Sequence, residues 1–274
     1  MIDVTYIDHM GTDLSVVNAA RVSFNKTSSW ELTDWRDSED YARKEVLSEA
    51  DTKLVNYLAK HKHTSPFGHC FVSFHIKAPI FVARQLVKHK FLRWNEISRR
   101  YVSNAPEFYA PDEWRSKSAD KKQGSGSALE VQDVHIATTQ RIVSMLYESM
   151  LERGVCEEQA RMVLPQNTMT EWYWSGSLDA FADMCNLRLK TDTQYETQLV
   201  AQQIDQMMLG LFPVSWEALV YGGIENIERK IVSLENELQE LYEMLDHMQE
   251  ETRAYIRPMT DEERHRSIER GEKR

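Results

Sequence analysis

The sequence predicts an α+β protein, in which a few short strands combine with several longer helices. Two segments, residues 2–6 and 70–76, alternate apolar and polar side chains as half-buried strands do. Longer stretches repeat apolar residues at helical spacing, and 42% of the 274 residues are hydrophobic. A chain of this size and composition buries one sizeable core and has residues left for an appendage.

The first third of the chain predicts two helices after the N-terminal strand. Thr12 or Asp13 is suited to cap a helix that runs through residues 19–21. Residues 25–36 have the composition of a loop, and residues 38–60 follow with helical periodicity. The apolar stripe of this second helix consists of Val46, Leu47, Leu54, Val55 and Leu58.

The strand at 70–76 leads into a helix with a basic end. Proline is well suited to the first turn of a helix, so Pro79 and the apolar residues 80–83 predict a helix start. We expect residues 88–90 to lie at the end of this helix. Residues 91–97 are then expected to form a loop.

Further along, residues 117–128 are polar and glycine-rich, which predicts a flexible connection. Helical periodicity returns at residues 129–153 and stops at Gly154, as is typical of a helix C-terminus. Residues 178–188 and 195–209 predict two more helices.

The C-terminal part carries a heptad pattern. Its apolar residues recur at alternating spacings of three and four: Ile224, Ile227, Ile231, Leu234, Leu238, Leu241, Leu245 and Met248. We therefore predict a body over 1–222, a coiled-coil helix over 223–252 and a charged tail over 253–274. An isolated helix cannot bury a one-sided seam, so this helix packs either on its own body or on another copy, and the strict repeat favours self-association.

Charge and hydropathy exclude several classes of protein. The formal net charge is −10, whereas proteins that bind a nucleic-acid backbone usually have a basic domain. No segment approaches the roughly 20 apolar residues of a spanning helix, and the N-terminal residues lack the basic start of an export signal. We expect a cytoplasmic protein that binds neither nucleic acid nor membrane.

Cysteine and histidine spacing predicts neither disulfides nor a metal site. The three cysteines, Cys70, Cys156 and Cys185, are far apart and form no Cys-x-x-Cys pair. The histidines between 61 and 75 match no recognised ligand spacing. We therefore expect core thiols and no bound metal.

Residues 84–101 concentrate polar chemistry in one short span. Six cationic side chains, one histidine, two amides, one carboxylate and a serine hydroxyl occur there in an otherwise acidic chain. Phosphates need fixed positive charge, and a pyrimidine edge needs amide and carboxylate partners beside it, so the span is typical of a nucleotide site. The alternative is a cationic helix end that offsets the helix dipole and solvates a surface.

The same span resembles the signature of flavin-dependent thymidylate synthases. That family carries Arg-His-Arg, seven residues and then Ser, usually continuing as Ser-x-Arg-Tyr. Here the sequence is Lys88-His89-Lys90, seven residues, then Ser98-Arg99-Arg100-Tyr101. Further blocks resemble the family in the same order: residues 10–14, 19–24, 61–67, 74–85, 160–165 and 186–188. The resemblance covers residues 1–222, which it identifies as a catalytic domain.

The resemblance implies a small antiparallel sheet flanked by helices and a homotetramer whose sites combine residues from several chains. It also implies reductive methylation of dUMP to dTMP, in which NADPH reduces FAD and methylenetetrahydrofolate supplies the carbon. Other thymidylate synthases use a cysteine nucleophile with a lowered thiol pKa. None of the three cysteines stands in such a setting here.

The resemblance assigns residues to two ligands. Arg188 would polarise the uracil and favour loss of its N3 proton, and Ser98 would orient the base, so these two are the implied catalytic residues. The implied dUMP-binding residues are Gln85, Leu86, Val87, Lys88, Glu96, Ile97, Ser98, Arg99, Arg100, Arg161 and Arg188. The implied FAD-binding residues are His63, Ser65, Lys88, His89, Lys90, Phe91, Glu96, Ser177, Asp179 and Asp183.

Several of these positions depart from the family pattern. Lys88 and Lys90 keep the charge of the usual arginines but lose the planar fork that arginine offers to phosphate. Ser177, Asp179 and Asp183 stand where the family commonly has Asn, Arg and Asn, and Gly68 stands where it commonly has Glu. A carboxylate at 179 in place of a cation weakens binding of a cofactor diphosphate.

Two other functions remain open. The altered cofactor positions are compatible with a flavin-dependent pyrimidine hydroxymethylase, in which water rather than hydride captures the methylene group. They are also compatible with a catalytically silent nucleotide-binding protein whose heptad seam recruits a partner.

Overall fold

The computed structural model describes residues 1–36, 41–118, 124–129 and 136–222, together with six tail residues. The chain forms two compact units, Met1–Ile224 and Glu225–Arg274. Within 223–252 only Leu238, Tyr242 and Leu245 are described, and all three are helical. Most of the predicted coiled coil and charged tail therefore lies outside the described residues, and the division at 222 and 252 stays a prediction.

The first unit mixes helices and strands, which confirms the α+β class. Its strands are β1 Asp3–Met10, β2 Glu31–Arg36, β3 Tyr41–Val46, β4 Phe71–Pro79, β5 Leu92–Glu96, β6 Trp114–Lys117, β7 Ser125–Leu129 and β8 Met169–Ser177. Its helices are α1 Asp13–Arg21, α2 Glu49–Lys60, α3 Ile80–Leu86, α4 Ile136–Glu152, α5 Glu157–Ala160, α6 Leu178–Arg188, α7 Tyr195–Leu211 and α8 Pro213–Trp216.

A four-stranded antiparallel sheet forms the centre of this unit, with the strand order β1-β4-β8-β5. Side chains alternate between the two faces of β4 and β8, so every second residue is buried. On the buried face Trp94 of β5 stacks on Trp172, with ring centroids 4.4 Å apart. Phe74 meets the edge of Phe181 from α6 at 5.2 Å. The core thus lies between this face and the helices α6 and α7.

Two buried carboxylates join distant parts of the chain. Asp13 at the start of α1 accepts hydrogen bonds from the backbone N–H groups of Val214 and Ser215, which open α8. Asp205 of α7 accepts from the indole of Trp216 at 2.8 Å and from the hydroxyl of Tyr221. The bonds of Asp13 satisfy helix-terminal donors and hold α8 against the N-terminal part of the unit, whereas those of Asp205 hold α7 against the residues that follow it.

Many predicted elements are present close to the predicted bounds. The N-terminal strand is β1, Thr12 precedes α1, and the alternating segment 70–76 lies almost wholly in β4. The helix predicted from Pro79 is α3, which starts at Ile80. The helices predicted at 178–188 and 195–209 are α6 and α7, and the second extends to Leu211.

Residues 25–60 differ from prediction. The predicted loop contains β2, which pairs with β3 in an antiparallel hairpin, and the predicted long helix begins only at Glu49. Ser48 caps it, since its hydroxyl accepts from the N–H of Asp51 at 3.1 Å. Val46 and Leu47 match the apolar stripe of the helix by spacing. However, Val46 ends β3, and Leu47 is a buried residue in the short connection from β3 to α2.

Two further predictions were wrong. Residues 92–96 form β5 instead of a loop, because they pair with β8 about eighty residues away, an interaction that local sequence does not reveal. The predicted flexible connection at 117–128 contains most of β7, which pairs with β6, and α4 begins at Ile136 instead of at residue 129. Among the described residues, no helix combines the length and apolarity needed to cross a membrane.

Candidate active site

The basic span lies where β4, α3, β5 and β8 meet. Helix α3 follows β4 without a loop, and its last residues lead into a tight turn in which Phe91 has a positive φ of 65°. Beside this turn Gly176 of β8 allows close approach, since a Cβ there would lie 3.1 Å from the carbonyl oxygen of Phe91. The turn therefore holds residues 88–91 against the sheet.

A cavity of about 750 Å³ opens beside the end of α3. We call it the Arg188 cavity. Three predicted substrate residues line it, namely Gln85, Lys88 and Arg188. The other polar lining residues include Asn167, Gln194 and Glu196. The cavity thus offers cations and amides together, which are the groups that recognise a phosphorylated base.

Arg188 is held at one edge of its guanidinium. Its Nε–H donates to Nε2 of His89 at 3.0 Å, and its Nη2 donates to the carbonyl oxygen of Gln85 at 3.2 Å. Burial lowers the pKa of Arg188 and, together with the charge of Arg188, lowers the pKa of His89 to about 4. The side chain is therefore fixed beside a neutral imidazole.

The far wall of the Arg188 cavity comes from the β6–β7 hairpin. Arg115 forms an ion pair with Glu196 of α7 and donates from Nε to the hydroxyl of Ser125 at 2.8 Å. Its guanidinium carbon lies 4.1 Å above the centre of the Tyr195 ring. Nearby, burial and the charge of Glu196 raise the pKa of Tyr109 to about 12. No sequence pattern predicted this wall, since Arg115 and Glu196 are 81 residues apart in the chain.

A second, smaller cavity of about 130 Å³ contains other predicted substrate residues. Glu96, Ile97, Arg99 and Arg161 line this Arg161 cavity. The carboxylate of Glu96 accepts from the hydroxyl of Thr170 at 2.7 Å and from the indole of Trp94 at 3.1 Å. No lining residue is shared with the Arg188 cavity. One chain therefore separates the predicted dUMP residues into two groups.

Ser98 and Arg100 continue directly from the Arg161 cavity. The hydroxyl of Ser98 accepts from both the backbone N and Nε of Arg100, each at 3.3 Å. Arg99 donates to the carbonyl oxygen of Asn104 at 2.6 Å. This internal bonding orders the cationic loop that follows β5.

A third cavity, of about 880 Å³, lies between α1, α2 and the segment after α2. We call it the His63 cavity, because His63 and Ser65, two of the predicted cofactor residues, line it. Apolar side chains from α1 and α2 form one part, while Lys26, Ser23 and Thr64 bring a cation and hydroxyls. Ser23 and Lys26 were not among the predicted site residues, although Ser23 belongs to the block at 19–24.

The predicted cofactor residues of α6 make contacts of their own. Ser177 donates from its hydroxyl to the carboxylate of Asp179 at 2.5 Å, at the start of α6. An acidic side chain at this place also complements the helix dipole. Partial burial and the charge of Asp179 raise the pKa of Asp183, while Lys62 acts in the opposite direction. None of the three residues lines the cavities described above.

The remaining predicted residues lie around the turn after α3. Leu86 is fully buried in the core, so its side chain cannot contact a ligand. Val87, Lys90 and Phe91 are exposed, and Phe91 is 84% exposed. Gly68 faces open space, so a side chain would fit there. Among the described residues, no group of three or more histidines, cysteines and carboxylates could hold a metal ion.

Most of the chain is similar to known proteins. A family model described as "Thymidylate synthase complementing protein" matches residues 5–214. A flavin-dependent thymidylate synthase of Thermus thermophilus is 37% identical over 218 residues, which cover 78% of this chain and 74% of that protein. The chain belongs to the flavin-dependent thymidylate synthase family. Members of the family are methyltransferases that use FAD, with NADPH and methylenetetrahydrofolate as co-substrates.

Other family members and a solved structure extend the comparison. The flavin-dependent thymidylate synthase of Thermotoga neapolitana is 37% identical over 220 residues, covering 79% of this chain and 90% of that protein. A crystal structure of the UMP/dUMP methylase PolB from Streptomyces cacaoi, bound with 5-Br UMP, has a TM-score of 0.67 and 28% identity. It covers 81% of this chain and 95% of that chain, which confirms the fold of the first unit.

Proposed function

We propose that this protein catalyses the reductive methylation of dUMP to dTMP, with methylenetetrahydrofolate as carbon donor and NADPH-reduced FAD as hydride source. Membership of the family and the likeness to a UMP/dUMP methylase support this reaction. The observation that carries the proposal is Arg188. One edge of its guanidinium is bonded to His89 and Gln85, and the side chain lines a cavity beside Lys88.

Arg188 is assigned to activation of the pyrimidine. Carbon 5 of uracil is a poor nucleophile, and it becomes electron-rich when N3 loses its proton. A guanidinium stays charged even when half-buried, so it stabilises the anionic base as it forms. Because the side chain is held before substrate arrives, little reorganisation is needed during the reaction.

The other predicted substrate residues would bind and orient the nucleotide. Gln85 and Lys88 lie beside Arg188 and would contact the base and sugar side. Arg99, Arg100 and Arg161 would neutralise the phosphate, since cations at the end of a substrate supply orientation as well as affinity. Ser98 would orient the base, and in the part of the chain that the structure describes it has no partner that would activate it as a nucleophile.

The cysteines support a route without a covalent cysteine adduct. Burial and the nearby Asp13 raise the pKa of the Cys70 thiol to about 11, and burial raises the pKa of the Cys185 thiol. Cys156 is exposed at the start of α5. None of these thiols lines one of the three cavities, and a thiol with a raised pKa is a weak nucleophile.

The His63 cavity fits part of a flavin dinucleotide. Its apolar walls suit a ring system, and Lys26 with the hydroxyls of Ser23 and Ser65 suits a diphosphate. His63 and Ser65 would hold the cofactor there, with Lys88, Lys90, Phe91 and Glu96 as further contacts. When bound, reduced FAD supplies the hydride that completes the methyl group. The acidic side chains of α6 offer no donor to a phosphate, so Lys26 is assigned that electrostatic role.

A complete substrate site would combine two subunits. Gln85, Lys88 and Arg188 line one cavity, whereas Glu96, Arg99 and Arg161 line another. A symmetric assembly would bring the first group of one chain to the second group of its neighbour. The family resemblance implies a homotetramer, which we propose for this protein, with the heptad segment as an additional point of self-association.

Mass spectrometry of the nucleotide after incubation tests this function. Purified protein is incubated with dUMP, FAD, NADPH and methylenetetrahydrofolate, and UMP is supplied in a parallel reaction. We expect dUMP to gain one methyl group, and each omitted co-substrate to prevent the gain. A hydroxymethyl product would replace the proposal with the hydroxymethylase, and unchanged dUMP with no retained FAD would replace it with a silent nucleotide-binding protein.

A further inference from the structure

Contacts within the protein hold His89 in its position. It follows the end of α3, where its backbone N–H donates to the carbonyl oxygen of Leu86 at 3.1 Å. Its ring meets Trp174 at a steep angle of 62°, with centroids 6.5 Å apart, and Trp174 is fully buried in β8. The imidazole is therefore packed against the sheet from within the protein.

The contact with Arg188 determines which nitrogen of His89 carries the proton. Every nitrogen of an arginine side chain donates and none accepts, so Nε2 of His89 must be the acceptor in the 3.0 Å bond. The ring is then neutral, with its proton on Nδ1. A doubly protonated ring would place a donor against a donor and a positive charge against a positive charge. Burial and the charge of Arg188, which lower the pKa of His89 to about 4, keep the ring neutral near pH 7.

The same contact sets the direction of the guanidinium. The Nε and Nη2 groups form one side of the arginine fork, and His89 and the carbonyl of Gln85 occupy that side. The fork has five N–H donors, so three are left at its outer end. Arg188 lines the cavity, where the outer end is available to a ligand. Without the bond from Nε, the side chain would regain rotamers that point this end elsewhere.

We propose that His89 is a positioning residue that, as a neutral hydrogen-bond acceptor, fixes Arg188 for binding of the uracil ring. This role depends on the proposed function of Arg188. It differs from the role in cofactor binding that the family resemblance implies for His89. The two roles predict different losses, since a positioning residue affects the nucleotide and a cofactor contact affects FAD.

Two substitutions separate these roles. His89→Phe keeps an aromatic ring against Trp174 but removes the acceptor, and His89→Gln keeps an acceptor oxygen near the place of Nε2. A lost hydrogen bond to a charged group reduces dUMP affinity and dTMP formation by about 10-fold to 100-fold, so we expect a loss of this size in His89→Phe. FAD content and NADPH oxidation are expected to stay close to wild type. His89→Gln should recover most of the loss.

A double-mutant cycle with Arg188→Ala supplies the decisive comparison. Dissociation constants for dUMP are measured by calorimetry for the wild type, both single variants and the double variant, next to turnover. If His89 acts through Arg188, His89→Phe has little further effect once Arg188 is removed. Additive losses would overturn the positioning role, and so would a selective loss of FAD in His89→Phe.

The same measurements distinguish failure of the proposed function. A wild-type protein that binds dUMP but forms no dTMP would contradict the reaction, while the affinities would still report the coupling between His89 and Arg188. A wild-type protein that does not bind dUMP would contradict both. The thermal unfolding midpoint of each variant serves as the control for folding.

Discussion

Arg188 combines burial and charge in a way that sets its chemistry. A half-buried cation loses hydration, and the two acceptors on one side of the guanidinium compensate only part of that loss. An anionic ligand at the outer end would complete the compensation. The same desolvation strengthens the interaction with a developing negative charge, because the local dielectric is lower than in water.

Replacement of Arg188 by Ala tests this assignment. We expect dTMP formation to fall by about 100-fold or more, in line with the loss of one preorganised donor group, while reduction of FAD by NADPH stays largely intact. Stopped-flow absorbance of the flavin and product analysis measure the two steps separately. Arg153→Ala is the matched control, since Arg153 is exposed at the end of α4 and lines none of the three cavities. Equal loss of both steps in Arg188→Ala would contradict the role in base activation.

The lowered pKa of His89 predicts a pH dependence of stability. The unfolded chain binds a proton on this residue near pH 6.5, whereas the folded chain binds it only near pH 4. As the pH falls through this window, the unfolded state holds more protons, so the folded protein loses roughly 2 kcal/mol. The free energy of unfolding of wild type minus that of His89→Gln should therefore decrease from pH 7 to pH 4.5. A constant difference would show that His89 titrates normally in the folded protein.

Strands β8 and β5 and helix α3 hold the basic span in place. Strand β8 pairs with β4 on one side and β5 on the other, so it links the residues before α3 to those after it. Gly176 lies between the two neighbours, opposite Val72 and Leu92. Close packing on both sides makes this strand intolerant of added volume.

Gly176→Ala measures how tightly the turn after α3 is packed. The added Cβ would overlap Cδ2 of Leu92 and lie 3.1 Å from the carbonyl oxygen of Phe91, so both must shift. We expect a loss of about 1–3 kcal/mol in the free energy of unfolding, measured by denaturant titration. Gly210→Ala is the control, because a Cβ there meets nothing within 4 Å and Gly210 lies within α7. That change should instead stabilise by about 0.5–1 kcal/mol, and equal effects at both positions would contradict the packing argument.

For the whole protein, the proposed shared site would make assembly part of catalysis. The Arg188 cavity belongs to one group and the Arg161 cavity to the other. If neighbouring chains combine these groups, each complete site needs two intact halves from different subunits. A substitution that removes either half of the site inactivates a homo-oligomer. Two variants that lack different halves can restore activity when their subunits are mixed.

Mixing Arg188→Ala and Arg161→Ala subunits tests this arrangement. Each variant alone should be nearly inactive. After the two are unfolded and refolded together, random pairing of subunits across a two-fold interface should restore about a quarter of wild-type sites, since one site of each mixed pair keeps both halves. Turnover of dUMP per active site gives the result, and each variant refolded alone is the control. Activity no higher than that of the separate variants would mean that one chain supplies the whole site.

Removal of residues 224–274 tests the heptad segment. Because the family match ends at residue 214, we expect turnover to change by less than about three-fold. The number of subunits per particle, calculated from the molar mass in solution, should decrease. Light scattering and steady-state turnover measure the two properties. Substituting Leu238 and Leu245 together by Glu keeps the chain length but interrupts the apolar seam. This variant should show the same decrease in the number of subunits. A truncated protein that keeps its size but loses turnover would contradict this separation.

The family, the α+β class and the bounds of helices such as α6 could be predicted without a structure, because signature residues and helical periodicity are local in the chain. The pattern at 178–188 matches the bounds of α6, in which six of eleven residues are buried. The spacing from Lys88 to Tyr101 depends on residue order alone, so it is recognisable without a structure. The family resemblance also supplied the candidate residues, whose assignments stay predictions.

Which of these residues lie in contact follows from the fold. Strand β5 forms because residues 92–96 pair with β8, and the contact of His89 with Arg188 joins positions 99 residues apart. Arg115 reaches Glu196 across 81 residues for the same reason. Such contacts depend on how the sheet brings distant segments together, and they cannot be predicted from local composition. The order of residues therefore predicts the candidate site residues, and the fold determines which of them lie together.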